Sequence, residues 1–198
     1  MTVGITGGMG CGKSAVTAML VTAGFECLDS DKTIREVILK DPLVMDAIRG
    51  KFGAIVLRED GSVDRSKLAS VVFARDEDRI WLEELTHPCL FQIWRSELQA
   101  KPDKLWALEV PLLFEKQLEI WFDFIVCVAS SSEQQLARLE QRGIPRPLAE
   151  QRISKQLPLA HKIELSDIVL WNDGSISFLQ SQVDVMIADL RKRAVRIP

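Results

Sequence analysis

The chain has 198 residues and a mass of 22.3 kDa, a length that suits one domain with a substantial buried core. Hydrophobic residues make up 47% of it, which excludes a disordered chain, and the net charge of −3 predicts no general attraction to nucleic acid or to an anionic membrane. The four cysteines show no C-x-x-C spacing, and no apolar run suits a signal peptide or a membrane span. We therefore expect a cytoplasmic protein with reduced thiols.

Five short apolar segments are predicted to form strands, and segments of helical periodicity separate them. The strand segments are residues 2–6, 25–29, 105–110, 124–129 and 167–171. Helical periodicity is clearest from Val16 to a stop at Gly24, from Ile34 to near Pro42, and from Ser175 onward. Strands that are almost wholly apolar and are separated by helices predict a parallel sheet in an α/β fold.

Two longer stretches without a clear strand predict insertions into this α/β core. Residues 41–104 show helical patterns that are interrupted at Pro88. Residues 131–161 are polar, and Ser132 and Gln135 have the spacing of a capping box, which predicts the start of a helix. Four arginines follow in this second insertion: Arg138, Arg142, Arg146 and Arg152.

The segment after the first strand, GGMGCGKS, matches the pattern G-x-x-x-x-G-K-[ST] from Gly7 to Ser14. Glycines let backbone N–H groups converge on phosphate oxygens, and the helix behind the loop adds the positive end of its dipole. The pattern assigns Lys13 to the β- and γ-phosphates and the Ser14 hydroxyl to a magnesium ion. Because it lies between a predicted strand and a predicted helix, the match predicts a nucleoside triphosphate site formed by Gly8, Met9, Gly10, Cys11, Gly12, Lys13, Ser14 and Ala15.

Three classes of protein use such a loop, and the rest of the sequence favours a small-molecule kinase. A GTPase switch would need an N-K-x-D element, but the only asparagine is Asn172 in WNDG. An ATPase motor would usually be longer and would carry an apolar run that ends in Asp-Glu. Two broader alternatives stay open whatever the acceptor is. One is any other small-molecule or nucleotide kinase, and the other is a non-catalytic regulatory protein that depends on a nucleotide.

Two acidic residues, Asp29 and Asp31, follow the second predicted strand. Ligands of open parallel sheets bind beyond the carboxyl ends of the strands, so a carboxylate here could accept the proton of a phosphoryl acceptor. Asp31 could equally cap the helix that carries Ile34, and the pattern alone leaves both interpretations open. Arg35, one turn later, suits either a solvated surface or a second anion.

The arginines of the second insertion also allow two interpretations. Arg138 and Arg142 are four residues apart and would share one helix face. Charged helix faces are usually only solvated. In a phosphoryl-transfer enzyme, however, arginines on a mobile lid exclude water and neutralise charge in the transition state.

Taken together, these segments resemble the dephospho-coenzyme A kinase family along nearly the whole chain. The resemblance rests on an ordered set of segments: VGITGGMGCGKS, LDSDKTIREV, DGSVDRSKLASVVF, LTHP, VPLLFE, QLARLEQR, RISKQLP, Lys162 and SDIVLWNDGS. It implies that the γ-phosphate of ATP is transferred to the ribose 3′-hydroxyl of dephospho-CoA, the last step of coenzyme A synthesis, with Mg²⁺ as a cofactor.

The resemblance implies roles for residues on the acceptor side. Asp31 matches the proposed catalytic base of the family, and Asp29 matches a supporting residue. Arg35 matches a residue beside the acceptor. His87 lies in the helical insertion that the family uses to hold the CoA side, although its position before Pro88 also suits a helix-shaping turn.

On the nucleotide side, Arg138 and Arg142 match lid residues near ATP, so that Lys13, Asp31 and Arg138 are the expected catalytic residues. Cys11 departs from the family, which commonly has serine there. That position contributes mainly its backbone N–H, so we expect ATP binding to survive and the thiol to be sensitive to oxidation. The segment that follows Arg142 is one residue shorter than the common family spacing, which affects the geometry of the lid.

The predicted architecture is a P-loop kinase three-layer α/β fold with a five-stranded parallel sheet, a helical acceptor-binding insertion and a lid. The single domain, residues 1–198, comprises a nucleotide-binding core at about 1–31, 105–130 and 162–198, a CoA-binding insertion at about 32–104, and a lid at about 131–161. Dephospho-CoA is the expected partner, and no feature of the sequence predicts an oligomeric state.

Overall fold

The computed structural model describes residues 1–72 and 74–194. In that part of the chain four helices lie between β2 and β3 and three between β4 and β5, with short 3₁₀ turns after α2, after α3 and before β4. The elements are β1 (Thr2–Gly7), α1 (Lys13–Thr22), β2 (Glu26–Asp29), α2 (Ser30–Glu36), α3 (Pro42–Phe52), α4 (Arg65–Val72), α5 (Asp76–Ala100), β3 (Trp106–Glu109), β4 (Phe124–Ala129), α6 (Ser132–Gln141), α7 (Arg146–Ser154), α8 (Leu159–Glu164), β5 (Ile168–Trp171) and α9 (Ile176–Ala194).

The five strands form one parallel sheet in the order β2-β3-β1-β4-β5, which confirms the predicted fold class. The central strand β1 pairs with β3 on one side, where Ile5 lies opposite Glu109, and with β4 on the other, where Gly7 lies opposite Val128. The loop that follows β1 therefore begins at the middle of the carboxyl edge of the sheet, with the end of β3 beside it.

The sheet is buried against helices α1 and α9, which pack on each other. Their apolar positions recur at helical spacing and become the core, as the sequence pattern predicts. The fully or almost fully buried members of this cluster on the two helices are Val16, Leu20, Leu179, Val183, Met186, Ile187 and Leu190.

The prediction that the second helix ends near Pro42 is wrong. The structure has α2 ending at Glu36, a 3₁₀ turn at Ile38–Lys40, and Pro42 at the start of α3. Asp41 caps α3, since its Oδ1 accepts hydrogen bonds from the backbone N–H groups of the next two non-proline residues at 2.9 and 3.3 Å. Proline is favoured in the first helical turn because its missing N–H has no partner there in any case.

The predicted interruption at Pro88 is also wrong, because α5 runs without a break through it. Proline removes one backbone hydrogen bond and crowds the preceding turn. Buried side chains on both sides of it, Thr86 before and Leu90 and Trp94 after, hold the helix against its neighbours. Tertiary packing of this kind outweighs the local preference.

The helix α6 begins where the sequence predicts, but its cap differs from the predicted capping box. Ser131 is the cap, and its Oγ accepts from the backbone N–H of Gln134 at 3.4 Å. The side chain of Gln135 is buried, and its Nε2 donates to the carbonyl oxygen of Ser130 at 2.9 Å.

Two compact units divide the chain. One comprises residues 1–28 and the C-terminal part from residue 103, and it contains the sheet core with α1 and α6 to α9. The other, Asp29–Pro102, is helical and has Ile48 and Trp94 among its fully buried side chains. No helix within the described ranges is both long and apolar enough to cross a membrane.

Two valines on α9 test the contribution of the core. Val183 is fully buried and Val185 is 71% exposed. We expect Val183→Ala to lower the free energy of unfolding by about 2 kcal/mol, from lost burial and a residual cavity. Val185→Ala, the matched control, should change it by about 0.5 kcal/mol or less. Urea unfolding of both variants measures this, and equal losses would contradict the assigned core.

Candidate active site

The loop between β1 and α1 has a backbone that only glycine adopts readily. Gly7, Gly10 and Gly12 have φ values of +139°, +80° and +97°. A Cβ at Gly7 would overlap the carbonyl oxygen of Val128, and one at Gly12 would overlap the side-chain amide of Asn172. Both conformation and space therefore require bare backbone here.

The helix α1 begins directly behind this loop, and Gly12 occupies its N-cap position. Glycine carries no side chain that could cap the first N–H groups of the helix. Uncapped N–H groups and the positive end of the helix dipole form a site for an anion such as a phosphate. The geometry fits the predicted phosphate-binding loop.

Lys13, the first residue of α1, reaches back over the loop. Its side chain is almost fully buried, and Nζ donates hydrogen bonds to the carbonyl oxygens of Gly7 at 3.2 Å and Gly8 at 3.0 Å. The ammonium group therefore lies over the amino-terminal half of the loop, where it adds positive charge to that of the helix N-terminus.

A carboxylate that sequence reasoning missed lies beside Ser14. Glu109 ends β3 and is only 6% exposed; its Oε1 accepts from Ser14 Oγ at 3.1 Å, and its Oε2 accepts from Thr17 Oγ1 at 2.9 Å. A hydroxyl and a carboxylate are the hard oxygen ligands that Mg²⁺ prefers, so these groups fit a magnesium site. The only feature of the sequence that could have indicated Glu109 was its position as a single acidic residue at the end of the apolar strand WALE.

The opposite side of the loop is held by residues that follow β4 and β5. Asn172 Nδ2 donates to the carbonyl oxygen of Cys11 at 2.9 Å. Arg138 Nη1 donates to the carbonyl oxygen of Gly10 at 3.3 Å and to Ser130 Oγ at 2.9 Å, and its Nη2 donates to the carbonyl oxygen of Asn172 at 2.6 Å. Arg138 thus contacts the backbone of the loop directly.

Arg142, the other predicted lid arginine, differs from Arg138 in its surroundings. It is the C-cap residue of α6 and its side chain is exposed. The structure therefore brings Arg138 to the loop and leaves Arg142 at the surface of the same unit. The roles of both residues in catalysis remain predictions.

On the acceptor side, the structure decides which aspartate caps α2. Asp29 is the N-cap, and its Oδ1 accepts from the backbone N–H of Lys32 at 2.9 Å. Asp31 lies in the first turn of the helix with an exposed side chain. The interpretation of Asp31 as the cap is therefore wrong, which leaves its role as an acceptor-binding carboxylate as the prediction.

Arg35 and His87 both lie in the helical unit, Asp29–Pro102, on α2 and α5, two helices that contact each other. The Nε of Arg35 is buried and has no hydrogen-bond partner among the described residues. The His87 ring lies 5.7 Å from the ring of Phe91, one turn later in α5. An unsatisfied guanidinium N–H suits an anionic ligand, since such bonds are charge-assisted.

Cys11, within the loop, is chemically protected by its position. It is fully buried, and burial raises the pKa of its thiol above the ordinary value, against the opposing effect of the Lys13 and Arg138 cations. A thiol that stays protonated is a poor nucleophile. This environment argues against the expected sensitivity of Cys11 to oxidation.

The strand, glycine loop and helix, in a parallel sheet of order 2-3-1-4-5, define the chain as a P-loop kinase fold. Comparison with known proteins then identifies one family within this class of kinases. The family model described as dephospho-CoA kinase matches residues 1–177, and the chain belongs to that family.

Individual relatives agree with this assignment. The dephospho-CoA kinase of Thermosynechococcus vestitus is 43% identical over 183 residues, which cover 91% of this chain and 90% of the relative. The crystal structure of TT1252 from Thermus thermophilus has a TM-score of 0.85 at 31% identity and covers 96% of this chain and 97% of that one. Dephospho-CoA kinase from Campylobacter jejuni has the same fold, with a TM-score of 0.70 at 23% identity over 98% of each chain.

Substitution at Gly12 tests the loop geometry. We expect Gly12→Ala to raise the dissociation constant for ADP by tenfold or more, roughly 1.4 kcal/mol, because the new Cβ displaces Asn172 and strains the backbone. Gly24→Ala is the control, since Gly24 also has a positive φ, +90°, but no atom lies within 4 Å of the added carbon. It should lower stability without changing ADP affinity, as measured by calorimetric titration and thermal unfolding. Equal effects on affinity would contradict the assignment.

The cysteines provide a second test. Burial raises the pKa of Cys127 to about 11 and also raises that of Cys11. We expect an alkylating reagent near neutral pH to leave both unlabelled in the native protein and to label both after denaturation. Mass spectrometry of the digested protein measures this. Rapid labelling of Cys11 in the native state would show that the loop opens to solvent.

Proposed function

We propose that this chain catalyses ATP-dependent phosphorylation of dephospho-CoA at the ribose 3′-hydroxyl, which gives coenzyme A and ADP in the last step of coenzyme A biosynthesis. The observation that carries this proposal is the match to the dephospho-CoA kinase family over residues 1–177, a range that contains a braced phosphate-binding loop. Relatives at 36–43% identity are named dephospho-CoA kinase, and the region matched by this chain covers about nine-tenths of each of them.

The nucleotide is held by the loop from Gly8 to Ala15. Backbone N–H groups and the N-terminus of α1 receive the phosphates, and Lys13 neutralises charge on the β- and γ-phosphates. Ser14 and Glu109 hold Mg²⁺, which when bound neutralises phosphate charge and orients the transferring group. Thr17 supports Glu109 through the hydrogen bond between their side chains.

The acceptor is held by residues of the helical unit. Asp31 orients the 3′-hydroxyl and accepts its proton. Its carboxylate is exposed in the first turn of α2, and Asp29 supplies the helix cap. Arg35 binds an anionic group of the acceptor through its guanidinium group. His87, on α5 of the same unit, contacts the CoA side of the acceptor.

Arg138 and Arg142 complete the charge balance around the phosphates. Arg138 does so from a position fixed by its bonds to the loop and to Asn172, whereas Arg142 is exposed at the end of α6. In this proposal residues of about 131–161 form the lid, about 32–104 the acceptor-binding insertion, and the remainder the nucleotide-binding core. The cytoplasm supplies ATP and keeps the four free thiols reduced.

The activity is tested by ADP release with ATP and Mg²⁺ in the presence of dephospho-CoA, AMP, adenosine, pantothenate or no acceptor. We expect release only with dephospho-CoA, together with a coenzyme A product. Release with another acceptor would indicate a different small-molecule kinase. ATP binding without release would favour the regulatory alternative. Lys13→Ala is the control and should weaken ATP use with little effect on folding.

The role of Asp31 has its own test. We expect Asp31→Asn to lower kcat roughly a hundredfold or more while ATP affinity is kept, because general-base catalysis typically contributes that much. Asp29→Asn keeps an acceptor oxygen for the helix cap and should have a much smaller effect. Steady-state kinetics of both variants compare them, and near-normal turnover of Asp31→Asn would remove Asp31 from the mechanism.

A further inference from the structure

The segment that follows α7, residues 155–162, contacts the phosphate-binding loop through one side chain. Gln156 Oε1 accepts a hydrogen bond from the backbone N–H of Met9 at 3.1 Å. Met9 lies in the middle of the loop, between Gly8 and Gly10. The peptide plane on the amino side of Met9 is therefore oriented by a residue that is 147 positions away in the chain.

The side chain of Met9 makes a second attachment to the same region. It packs against an apolar cluster formed between α6 and α7 by Leu136, Leu139 and Ala149. The next residue, Gly10, is held through its carbonyl oxygen by Arg138 of α6. The centre of the loop is thus attached to α6, to α7 and to the segment after α7.

An ion pair between a fully buried lysine and a largely buried glutamate fixes the position of the residue after Gln156. Lys162 is fully buried, and its Nζ lies 2.8 Å from Glu115 Oε1 and donates to the carbonyl oxygen of Pro111 at 2.7 Å. The same Glu115 Oε1 accepts from the backbone N–H of Leu157 at 2.9 Å. The carbonyl oxygen of Pro111 also accepts from Thr6, the residue before the loop begins, at 3.3 Å.

The ion pair is better suited to positioning than to stability. Burying two charges costs solvation free energy, and apolar side chains of similar volume often replace a buried pair without loss of stability. A carboxylate oxygen that binds an ammonium group and a backbone N–H together sets the distance between the two segments within hydrogen-bond tolerance. The segments so joined are 155–162 and the chain that follows β3.

We propose that Gln156 is a positioning residue for the phosphate-binding loop, and that the Glu115–Lys162 pair acts through Gln156 by fixing the segment that carries it. The inference rests on the proposed function because the loop is taken to bind ATP. Neither Gln156 nor the pair contacts the reacting atoms in this proposal. Their effect is on the geometry of the Met9 amide and therefore on nucleotide affinity.

Gln156→Met, which keeps the side-chain length and removes the acceptor, is the direct test. We expect the dissociation constant for ADP and the KM for ATP to rise roughly fivefold, the worth of one hydrogen bond, with kcat nearly unchanged. Amide exchange of Met9, measured by NMR without nucleotide, should accelerate by a similar factor. Gln151→Met, on an exposed position of α7, is the matched control and should change neither quantity.

The ion pair is tested with Glu115→Leu and Lys162→Met combined, because either change alone would leave an uncompensated buried charge and could prevent folding. Thermal unfolding checks that the double variant folds. If the pair acts through Gln156, the double variant alone should weaken ADP affinity roughly fivefold, and adding Gln156→Met to it should cause no further loss. Independent effects would instead multiply, to about 25-fold.

Two outcomes overturn the proposal. If Gln156→Met and Gln151→Met have the same ADP affinity and the same rate of Met9 amide exchange, Gln156 is not a positioning residue. Multiplying effects, or a double variant that binds ADP as tightly as the unchanged protein, would remove the role of the ion pair. Failure of the proposed function gives a different result: the unchanged protein would not phosphorylate dephospho-CoA, while ADP binding and Met9 exchange would still respond to Gln156→Met.

Discussion

The backbone of the loop between β1 and α1 must present its N–H groups to a phosphate, and the rest of the site depends on this constraint. A loop in that conformation has carbonyl oxygens that need other partners. Here they receive donors from three directions: Lys13 at Gly7 and Gly8, Arg138 at Gly10, and Asn172 at Cys11. Polar side chains of α1, of α6 and of the residue after β5 thus stabilise a conformation that glycine alone only permits.

The same arrangement explains which parts of the fold and site could be predicted. Apolar segments and helical periodicity are local signals, and they predicted the parallel sheet and its helices well because burial follows them closely. The loop was predictable because its pattern states a backbone requirement directly. The errors at Pro42 and Pro88 arose where a neighbouring cap or tertiary packing decided the outcome, and neither is visible in the local pattern.

Side-chain partners were the least predictable part of the site. Glu109 is the single acid at the end of an apolar strand, and only the pairing of β3 with β1 places it beside Ser14. The helix face of Arg138 left a solvated and a lid interpretation open, and only the resemblance implied the lid. Its bonds to Gly10 and Asn172 depend on where β5 ends. For Asp31 the structure removed one of two interpretations by assigning the cap to Asp29.

The contact between Asn172 and the loop has a consequence for how the protein is made. The partner that holds the Cys11 carbonyl lies 161 residues further along the chain, at the end of the last strand. During synthesis the glycine loop leaves the ribosome well before Asn172, and it lacks this hydrogen bond until β5 has emerged and joined the sheet. A nascent chain therefore acquires a fully supported phosphate site only after Asn172 has been made and has reached the loop.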